Sequence, residues 1–277
     1  MKYDLHSHTT CSDGRLSPEE LIDRAVEKGI DIFAITDHDT LDALPIAHEH
    51  INQNNLDIKL INGIEISTRW HSFEIHIVGL NLDAQSTELL NLVSEQKQKR
   101  DARALEIGRR LEKAGIVDAY QGAKDLAGDA HITRAHFAQY LVNQGKAKNI
   151  QGVFKKYLAR GKTGYTPSTW CDMKTAIEAI QAAGGQAVVA HPGRYKMSNK
   201  WLRQLLSDFK ADGGDGMEVA QPQQAPTERQ FLGALSREYG LLCSQGSDFH
   251  FPMTWLELGK NLYLPKDCTP VWQDWAV

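Results

Sequence analysis

The sequence predicts an α/β fold interrupted by an all-helical segment. Strands and helices alternate over residues 1–86 and again over residues 166–277, whereas residues 87–165 read as one helix after another. An early strand at residues 31–36 is almost continuously apolar, which is typical of a parallel sheet covered on both faces. Polar residues follow several strands, as they do in α/β barrels and wound sheets. We therefore expect a barrel or wound sheet built from residues 1–86 and 166–277, with residues 87–165 as a helical insertion.

The composition predicts a globular protein of the cytoplasm. The 277 residues are 42% hydrophobic, enough for a sizeable core, and the net charge of −4 is ordinary for a soluble protein. No apolar run is long enough to span a bilayer, and the first residues are too polar for a secretory signal. The cysteines are scattered without a CxxC pair, which favours reduced thiols. We expect no membrane association, and no pattern indicates an obligate protein partner.

The first strand leads into His6-Ser7-His8. Alternate side chains of an extended backbone leave the same face, so both imidazoles can reach one metal ion while Leu5 points into a core. Asp13 follows in a turn-forming Ser-Asp-Gly segment and can fold back beside them. A lone His-x-His is more often structural or accidental, so its weight depends on the rest of the chain.

A helix begins after Ser17. Ser17 can cap it, Pro18 suits the first turn and Glu20 completes a capping box. Apolar residues then recur at helical spacing, and Gly29 ends the helix. The sequence therefore predicts a helix packed on the sheet directly after the His-x-His segment.

The next strands end in further candidate ligands. The strand at residues 31–36 runs into His38, and a helix at about 41–52 leads to a strand at 59–67 that carries Glu65. Residues 73–78 alternate between polar and apolar, which places Glu74 and His76 on one face of another strand.

The helical segment is the basic part of an otherwise acidic chain. Residues 95–165 hold 15 Lys and Arg against 7 Asp and Glu, a net charge of +8, which leaves −12 for the rest. Helices at 133–144 and 149–160 lie within this window. One interpretation is a set of solvated helix surfaces. The other is a cationic cap beside an acidic metal site, which would attract phosphorylated substrates.

Strands return after the insertion. Residues 187–192 contain His191, and a strand at 216–219 follows. A last strand at 241–244 runs into Asp248 and His250, and helices at about 173–183, 200–210 and 226–239 separate these strands.

Candidate ligands thus follow or close most of the strands: His6, His8, Asp13, His38, Glu65, His76, His191, Asp248 and His250. The carboxyl ends of parallel strands meet at one edge, so we expect these side chains to lie together. Any one of them has an ordinary explanation, such as a core histidine or a turn residue. Imidazole and carboxylate ligands without paired thiolates suit Mn²⁺, Zn²⁺ or Fe²⁺. Nine ligands are enough for two or three ions, and Glu65, with two oxygens, is the natural bridge between them. We expect Mn²⁺ first.

Six motifs resemble the PHP (polymerase and histidinol phosphatase) family in order and spacing: His6-x-His8, Thr36-Asp37-His38, Gly63-Ile64-Glu65, the His76 strand, Ala190-His191-Pro192 and Ser247-Asp248-Phe249-His250. The resemblance covers nearly the whole chain and implies a distorted (β/α)₇ barrel with a trinuclear metal site. It further implies three ligand sets: His6, His8, Glu65 and Asp248 for one ion; Asp13, His38 and His250 for a second; Glu65, His76 and His191 for a third.

The insertion narrows the resemblance to one branch. The Ile132-Thr133-Arg134-x-His136-Phe137 segment and residues 157–165 look like the branch acting on nucleoside 3′,5′-bisphosphates, which is also described as a 5′-to-3′ exoribonuclease on 5′-monophosphorylated RNA. Asp13 stands where histidinol-phosphatase-like relatives often have histidine. The resemblance implies a phosphoesterase that removes the 3′-phosphate of such bisphosphates and trims the 5′ ends of RNA, including ribosomal RNA. Both reactions leave a nucleoside 5′-monophosphate.

The expected chemistry is in-line attack of a metal-activated water on phosphorus. We expect Asp13, His38 and Glu65 at the catalytic centre, with His131 or Asp13 near the leaving oxygen. Arg134 is the first candidate to grip a substrate phosphate, because its planar guanidinium matches phosphate oxygens, and Lys162 is the second. For both cations the alternative is a surface charge.

Two other functions stay open from sequence. One is a small-metabolite phosphatase of the histidinol-phosphate type, against which the basic insertion speaks. The other is a non-catalytic PHP interaction module, against which the presence of all nine candidate ligands speaks.

Overall fold

One mixed sheet organises the fold in the computed structural model, which describes residues 1–128 and 130–276. The strands, in chain order, are β1 (Tyr3–Asp4), β2 (Ile32–Ile35), β3 (Lys59–Trp70), β4 (Phe73–Leu80), β5 (Cys171–Asp172), β6 (Gln186–Val189), β7 (Gly216–Ala220) and β8 (Leu242–Gln245). Seven of them pair in the order β1-β2-β3-β4-β6-β7-β8, and β5 pairs with the end of β3.

Backbone hydrogen bonds bring the two ends of this sheet together. The Leu5 amide donates to the Gln245 carbonyl at 3.1 Å, the Asp248 amide to the His6 carbonyl at 2.9 Å, and the His8 amide to the Phe249 carbonyl at 2.9 Å. The result is a nearly closed seven-stranded barrel, which confirms the predicted distorted (β/α)₇ fold.

Strand β4 departs from the predicted parallel arrangement. It runs antiparallel to both β3 and β6, whereas β1-β2-β3 and β6-β7-β8 are parallel runs. The expectation that every ligand lies at the carboxyl end of a parallel strand is therefore wrong for His76. This residue lies in the first half of β4 and reaches the same edge from the opposite chain direction, because β4 follows β3 through a tight turn.

Most helices pack around the barrel: α1 (Pro18–Glu27), α2 (Ala43–Asn54), α7 (Met173–Ala182), α8 (Asn199–Ala211) and α9 (Pro226–Glu238). The predicted capping box of α1 is confirmed, since Ser17 and Glu20 exchange side-chain to backbone hydrogen bonds. Within the described residues, no helix has the length and apolar character needed to cross a membrane.

The remaining helices lie between β4 and β5: α3 (Thr87–Lys113), α4 (Ala119–Ala127), α5 (Arg134–Asn143) and α6 (Ile150–Val153). The single helix expected at 149–160 is wrong in detail, because α6 passes into a π-helical turn over Phe154–Leu158 and the chain is extended at Ala159. These helices enclose an apolar cluster of their own that includes Ile107, Leu111, Phe137 and Leu141. Packing of this kind is the reason why the segment forms helices without the sheet.

The inside of the barrel is apolar below the candidate ligands. Ile61 and Glu65 share one face of β3, and His76 and Val78 share one face of β4. Ile61 and Val78 belong to a small apolar cluster. Gly246 lets the last strand approach the first, because a Cβ there would lie 2.3 Å from the Cβ of His6. The strands thus hold the candidate ligands above this apolar cluster inside the barrel.

Candidate metal centre

Glu65 lies at the centre of the polar cluster and is fully buried. Its Oε1 is 2.8 Å from His76 Nδ1 and 3.0 Å from His191 Nε2. Its Oε2 is within 3.3 Å of ring nitrogens of three more histidines: His6 at 3.2 Å, His8 at 3.3 Å and His38 at 3.1 Å. One carboxylate therefore faces five imidazoles, which is the geometry of a bridging ligand.

The remaining candidates complete groups of potential ligand atoms that lie within 4.8 Å of one another. The groups are His6, His8, Glu65 and Asp248; His8, Asp13, His38 and His250; and His38, Glu65 and His76. The first group is identical to the first ligand set that the family resemblance implies. The second group contains the second set, Asp13, His38 and His250, together with His8. His191 is added to the third by its contact with Glu65. All nine predicted residues are brought together, and their roles as ligands stay a proposal.

Two of these residues have strained backbones. His191 has φ of 32° and Asp248 has φ of 51°, in the left-handed region that residues with a Cβ rarely occupy. Such conformations cost of order 1–3 kcal/mol each and persist where the surrounding structure enforces them, commonly at functional sites. Here they follow β6 and β8 and turn both side chains towards Glu65 and His8.

The cluster is held by opposite charges. Burial opposes a charge on His8, but the carboxylates of Asp248 and Glu65 outweigh it and raise the pKa of His8 to about 10. Burial would also raise the pKa of Glu65, yet the neighbouring histidines, His38 and His6 first, lower it well below its usual value. At His38 burial prevails over the charges of Glu65 and Asp13 and lowers the pKa to about 3.

The donor set fits divalent ions. Several buried polar atoms make no hydrogen bond: Nδ1 of His8, His38 and His191, Oδ1 of Asp13 and Oε2 of Glu65. Buried polar atoms are normally hydrogen-bonded, so unsatisfied ones gathered in one place require an explanation. A cation supplies it, because each of these atoms is a lone-pair donor to a metal once deprotonated.

A layer of supporting residues was not identified from sequence. Glu218 on β7 accepts from His6 Nδ1 at 2.7 Å and from the His191 amide at 2.5 Å. A carboxylate on one ring nitrogen fixes the imidazole so that the other nitrogen faces the metal. Arg194 pairs with Asp248. The available signal was a glutamate inside the otherwise apolar strand β7.

We expect Glu218→Gln to weaken metal binding by about 10- to 100-fold, because an amide oxygen holds His6 less firmly than a carboxylate does. Isothermal titration with Mn²⁺ measures the change, and Glu49→Gln on the exposed side of α2 is the matched control. Unaltered Mn²⁺ affinity in a folded Glu218→Gln protein would limit Glu218 to a packing role.

Arginines lie above the cluster. Arg100 of α3 donates to Asp39 Oδ2 at 2.7 Å and joins α3 to the segment that carries His38. Arg103 and Arg134 both donate to Glu74, each at 2.8 Å. Burial alone would raise the pKa of Glu74, but the charges of Arg134 and Arg103 outweigh it and lower that pKa.

The arginines and the candidate ligands line the same cavity of about 150 Å³, which we call the chamber. Its lining includes the candidate ligands Asp13, His38 and His76 together with Arg100, Arg103, Arg134 and Trp170. His131 is buried but does not line the chamber. Its pKa is lowered, mainly by burial and to a smaller extent by the charges of Lys97 and Arg100. Lys162 is exposed and also lies outside the chamber lining. Of the three predicted substrate-binding residues, Arg134 alone lines it.

Known proteins resemble this chain over most or all of its length. The PHP domain family matches residues 4–166. The 5′-3′ exoribonuclease Rnm of Salmonella typhimurium is 53% identical, over 99% of this chain and 93% of the relative. The 3′,5′-nucleoside bisphosphate phosphatase of Chromobacterium violaceum is 38% identical, over 98% of this chain and 95% of the relative. A solved structure of an amidohydrolase from C. violaceum, with bound sulfate and no metal, has a TM-score of 0.91 at 38% identity and covers 98% of this chain and 95% of that chain.

Proposed function

Because the chain belongs to the PHP domain family, we propose that it is a metal-dependent phosphoesterase acting on 5′-phosphorylated nucleotides. It removes the 3′-phosphate of nucleoside 3′,5′-bisphosphates and trims 5′-monophosphorylated RNA, ribosomal RNA included, in the 5′-to-3′ direction. Both reactions cut the ester bond at a ribose 3′ oxygen, so one active site serves both. The names of the Salmonella and Chromobacterium relatives support this pair of activities.

The observation that carries the proposal is the mixed lining of the chamber. The lining combines candidate ligands of the barrel with Arg134, whose side chain is 34% exposed. A bisphosphate has two phosphate groups that need such different surroundings, one to be cleaved and one to be held. A monophosphate such as histidinol phosphate has no second phosphate group for Arg134.

The nine candidate ligands are proposed to hold two or three Mn²⁺ ions, with Zn²⁺ or Fe²⁺ as alternatives. When bound, such ions make a water nucleophilic at neutral pH and withdraw charge from the phosphoryl oxygens. Glu65 bridges the ligand sets, as its distances to five histidines suggest.

The protein's own groups orient the substrate. Arg134 holds the 5′-phosphate, and Glu74 fixes one side of its guanidinium while leaving Nε and Nη1 without a hydrogen bond among the described residues. Of the two candidates for the leaving oxygen, His131 does not line the chamber. Asp13 is also a poor acid, because burial is outweighed by the charges of His250 and His38, which lower its pKa.

We also propose that residues 87–165 form a substrate cap on the barrel of residues 1–86 and 166–277. Arg100, Arg103 and Arg134 come from the helical segment and face ligands from the barrel. The cap therefore supplies cations and the barrel supplies the metal ligands. A cytoplasmic location stays a prediction from the cysteine pattern.

The product identifies the orientation of the substrate. Purified protein with Mn²⁺ should convert 3′,5′-ADP to AMP and orthophosphate, because the 5′-phosphate is held and the 3′ ester is cut. Chromatography that finds adenosine 3′-monophosphate would reverse this orientation. Histidinol phosphate, tested beside it, should react more slowly, and faster turnover of histidinol phosphate would favour the small-metabolite alternative.

Recognition of the 5′-phosphate should also distinguish RNA molecules by their 5′ ends. An oligonucleotide with a 5′-hydroxyl should be hydrolysed at least about 10-fold more slowly than the same oligonucleotide with a 5′-monophosphate, because one charge-assisted contact is lost. Equal rates would leave Arg134 without a role in recognising the 5′ end. Absence of turnover on every substrate, with metal bound, would favour the non-catalytic module.

A further inference from the structure

A second cavity adjoins the chamber at Asp13. Its volume is about 620 Å³, and Asp13 and His250 line it where it meets the candidate metal ligands. We call it the Arg15 groove and define it by six further residues: Arg15, His136, Gln139, Asn143, Ile150 and Phe251. It is larger than the chamber, and Asp13 and Ala135 line both cavities.

The start of α5 separates this groove from the opening on the other side. Arg134 lines the chamber and a cavity that includes Arg69 and Arg160, whereas Ala135 lines the chamber and the Arg15 groove. The chamber thus has a neighbouring cavity at Glu74 and Arg134 and another at Asp13 and Ala135. If Arg134 takes the terminal 5′-phosphate, a longer chain has to leave by the other opening.

The Arg15 groove has the chemistry of a single-stranded nucleic acid site. The Arg15 guanidinium lies 4.2 Å from the centre of the Phe251 ring, and it donates to Gln139 at 3.2 Å. Among the described residues, no carboxylate pairs with Arg15, and Asp13 is the one carboxylate that lines the groove. An aromatic ring beside a cation that no carboxylate neutralises is the usual combination in such sites, the ring for a base and the cation for a phosphate.

The outer part of the groove extends these features. Leu126, which is 42% exposed, and Ile150 form an apolar wall. Asn143 and Ile150 flank a loop that carries Lys146 and Lys148, both on the surface. A chain that leaves the chamber along Phe251 would therefore meet further positive charge.

From this geometry we propose that the Arg15 groove binds the RNA segment on the 3′ side of the scissile phosphodiester. The inference rests on the proposed exoribonuclease function. A nucleoside 3′,5′-bisphosphate ends at the phosphate that is cleaved and leaves the groove empty, whereas every longer RNA enters it. The groove therefore separates RNA from mononucleotide substrates without a change at the metal ligands.

The test compares Arg15→Ala and Phe251→Ala with the wild-type protein on two substrates. Each variant should raise KM for a 5′-monophosphorylated RNA decamer by about 5- to 10-fold, as loss of one stacking or phosphate contact does. Turnover of 3′,5′-ADP and Mn²⁺ content should stay within about 2-fold of wild type, because the groove is not used. The salt dependence of RNA binding by Arg15→Ala should fall by about 0.7 in log Kd per log salt concentration, the value for one lost phosphate contact.

Two further variants serve as controls, one for the loss of a positive charge and one for the cavity through which the RNA leaves the chamber. Arg237→Ala removes an exposed arginine from α9, outside the groove, and should leave both substrates unaffected. Arg69→Ala removes an exposed arginine from the opposite cavity. An RNA-selective loss in Arg69→Ala that is missing in Arg15→Ala would overturn the proposal in favour of exit on that side. Equal losses on both substrates, or none on RNA, in Arg15→Ala and Phe251→Ala would also overturn it.

Failure of the proposed function is distinguishable from failure of the groove. If the wild-type protein cleaves neither substrate, the proposed function is wrong. Fluorescence anisotropy with the same RNA decamer then tests the groove alone. Weaker binding by Arg15→Ala than by Arg237→Ala supports it, and equal binding overturns it.

Discussion

Glu65→Gln is expected to abolish most activity and to remove metal from more than one position. A lost supporting partner of a metal ligand costs about 10- to 100-fold, and a bridging ligand should cost more, so we expect at least about 10³-fold in kcat/KM for 3′,5′-ADP. The physical reason is charge. The Glu65 carboxylate lies within 3.3 Å of nitrogens from five histidines, whereas Asp248 and Asp13 each contact only two of these five.

Metal analysis makes this result specific. Protein reconstituted with excess Mn²⁺ should hold two or three ions per chain, and Glu65→Gln should hold fewer, as measured by elemental analysis. Circular dichroism checks that the variant is folded, and Glu178→Gln on the exposed side of α7 is the control for an isosteric change of charge. A fully active protein with one ion or none would contradict the multinuclear proposal. So would a Glu65→Gln variant that keeps its full metal content.

The candidate metal ligands were accessible from sequence because each interrupts a local pattern. His38 and Asp248 follow short buried strands, and His6 and His8 alternate on an extended segment, so their neighbours predict where they point. Once the strands are assigned, barrel geometry brings these side chains together. His76 could be assigned to a face but not to a chain direction, because the alternation within β4 is the same in a parallel and an antiparallel strand.

The supporting residues were not accessible in this way, because their roles depend on contacts distant in the chain. Glu218 meets His6 across 212 positions, and Arg100 meets Asp39 across 61. Nothing beside Glu218 or Arg100 in the sequence indicates the partner. For Lys162 the local sequence was misleading. A basic residue in a glycine-flanked segment is typical of a phosphate-binding loop, yet the Lys162 side chain is exposed and does not line the chamber.

Arg134→Ala is expected to lower kcat/KM for 3′,5′-ADP and for 5′-monophosphorylated RNA by about 10- to 150-fold. Loss of a charge-assisted, bidentate contact costs roughly 1.5–3 kcal/mol, which is this range. Arg134 faces the chamber while Glu74 holds one side of its guanidinium at 2.8 Å, so the fork is already oriented before substrate arrives. Arg134→Lys should recover only part of the loss, because an ammonium group cannot reproduce the fork.

The controls separate phosphate recognition from chemistry at the metal ligands. A simple aryl phosphate has no second phosphate group, so Arg134→Ala should barely alter its hydrolysis, and metal content should be unchanged. Lys162→Ala should alter neither substrate by more than about 2-fold, as is usual for an exposed residue. An equal loss on aryl phosphate and 3′,5′-ADP would place Arg134 at the reacting phosphate. No loss on either would make Arg134 a surface charge and would remove the cap's main contact with the substrate. Arg100 is paired with Asp39, and Arg103 donates to the Thr166 carbonyl as well as to Glu74.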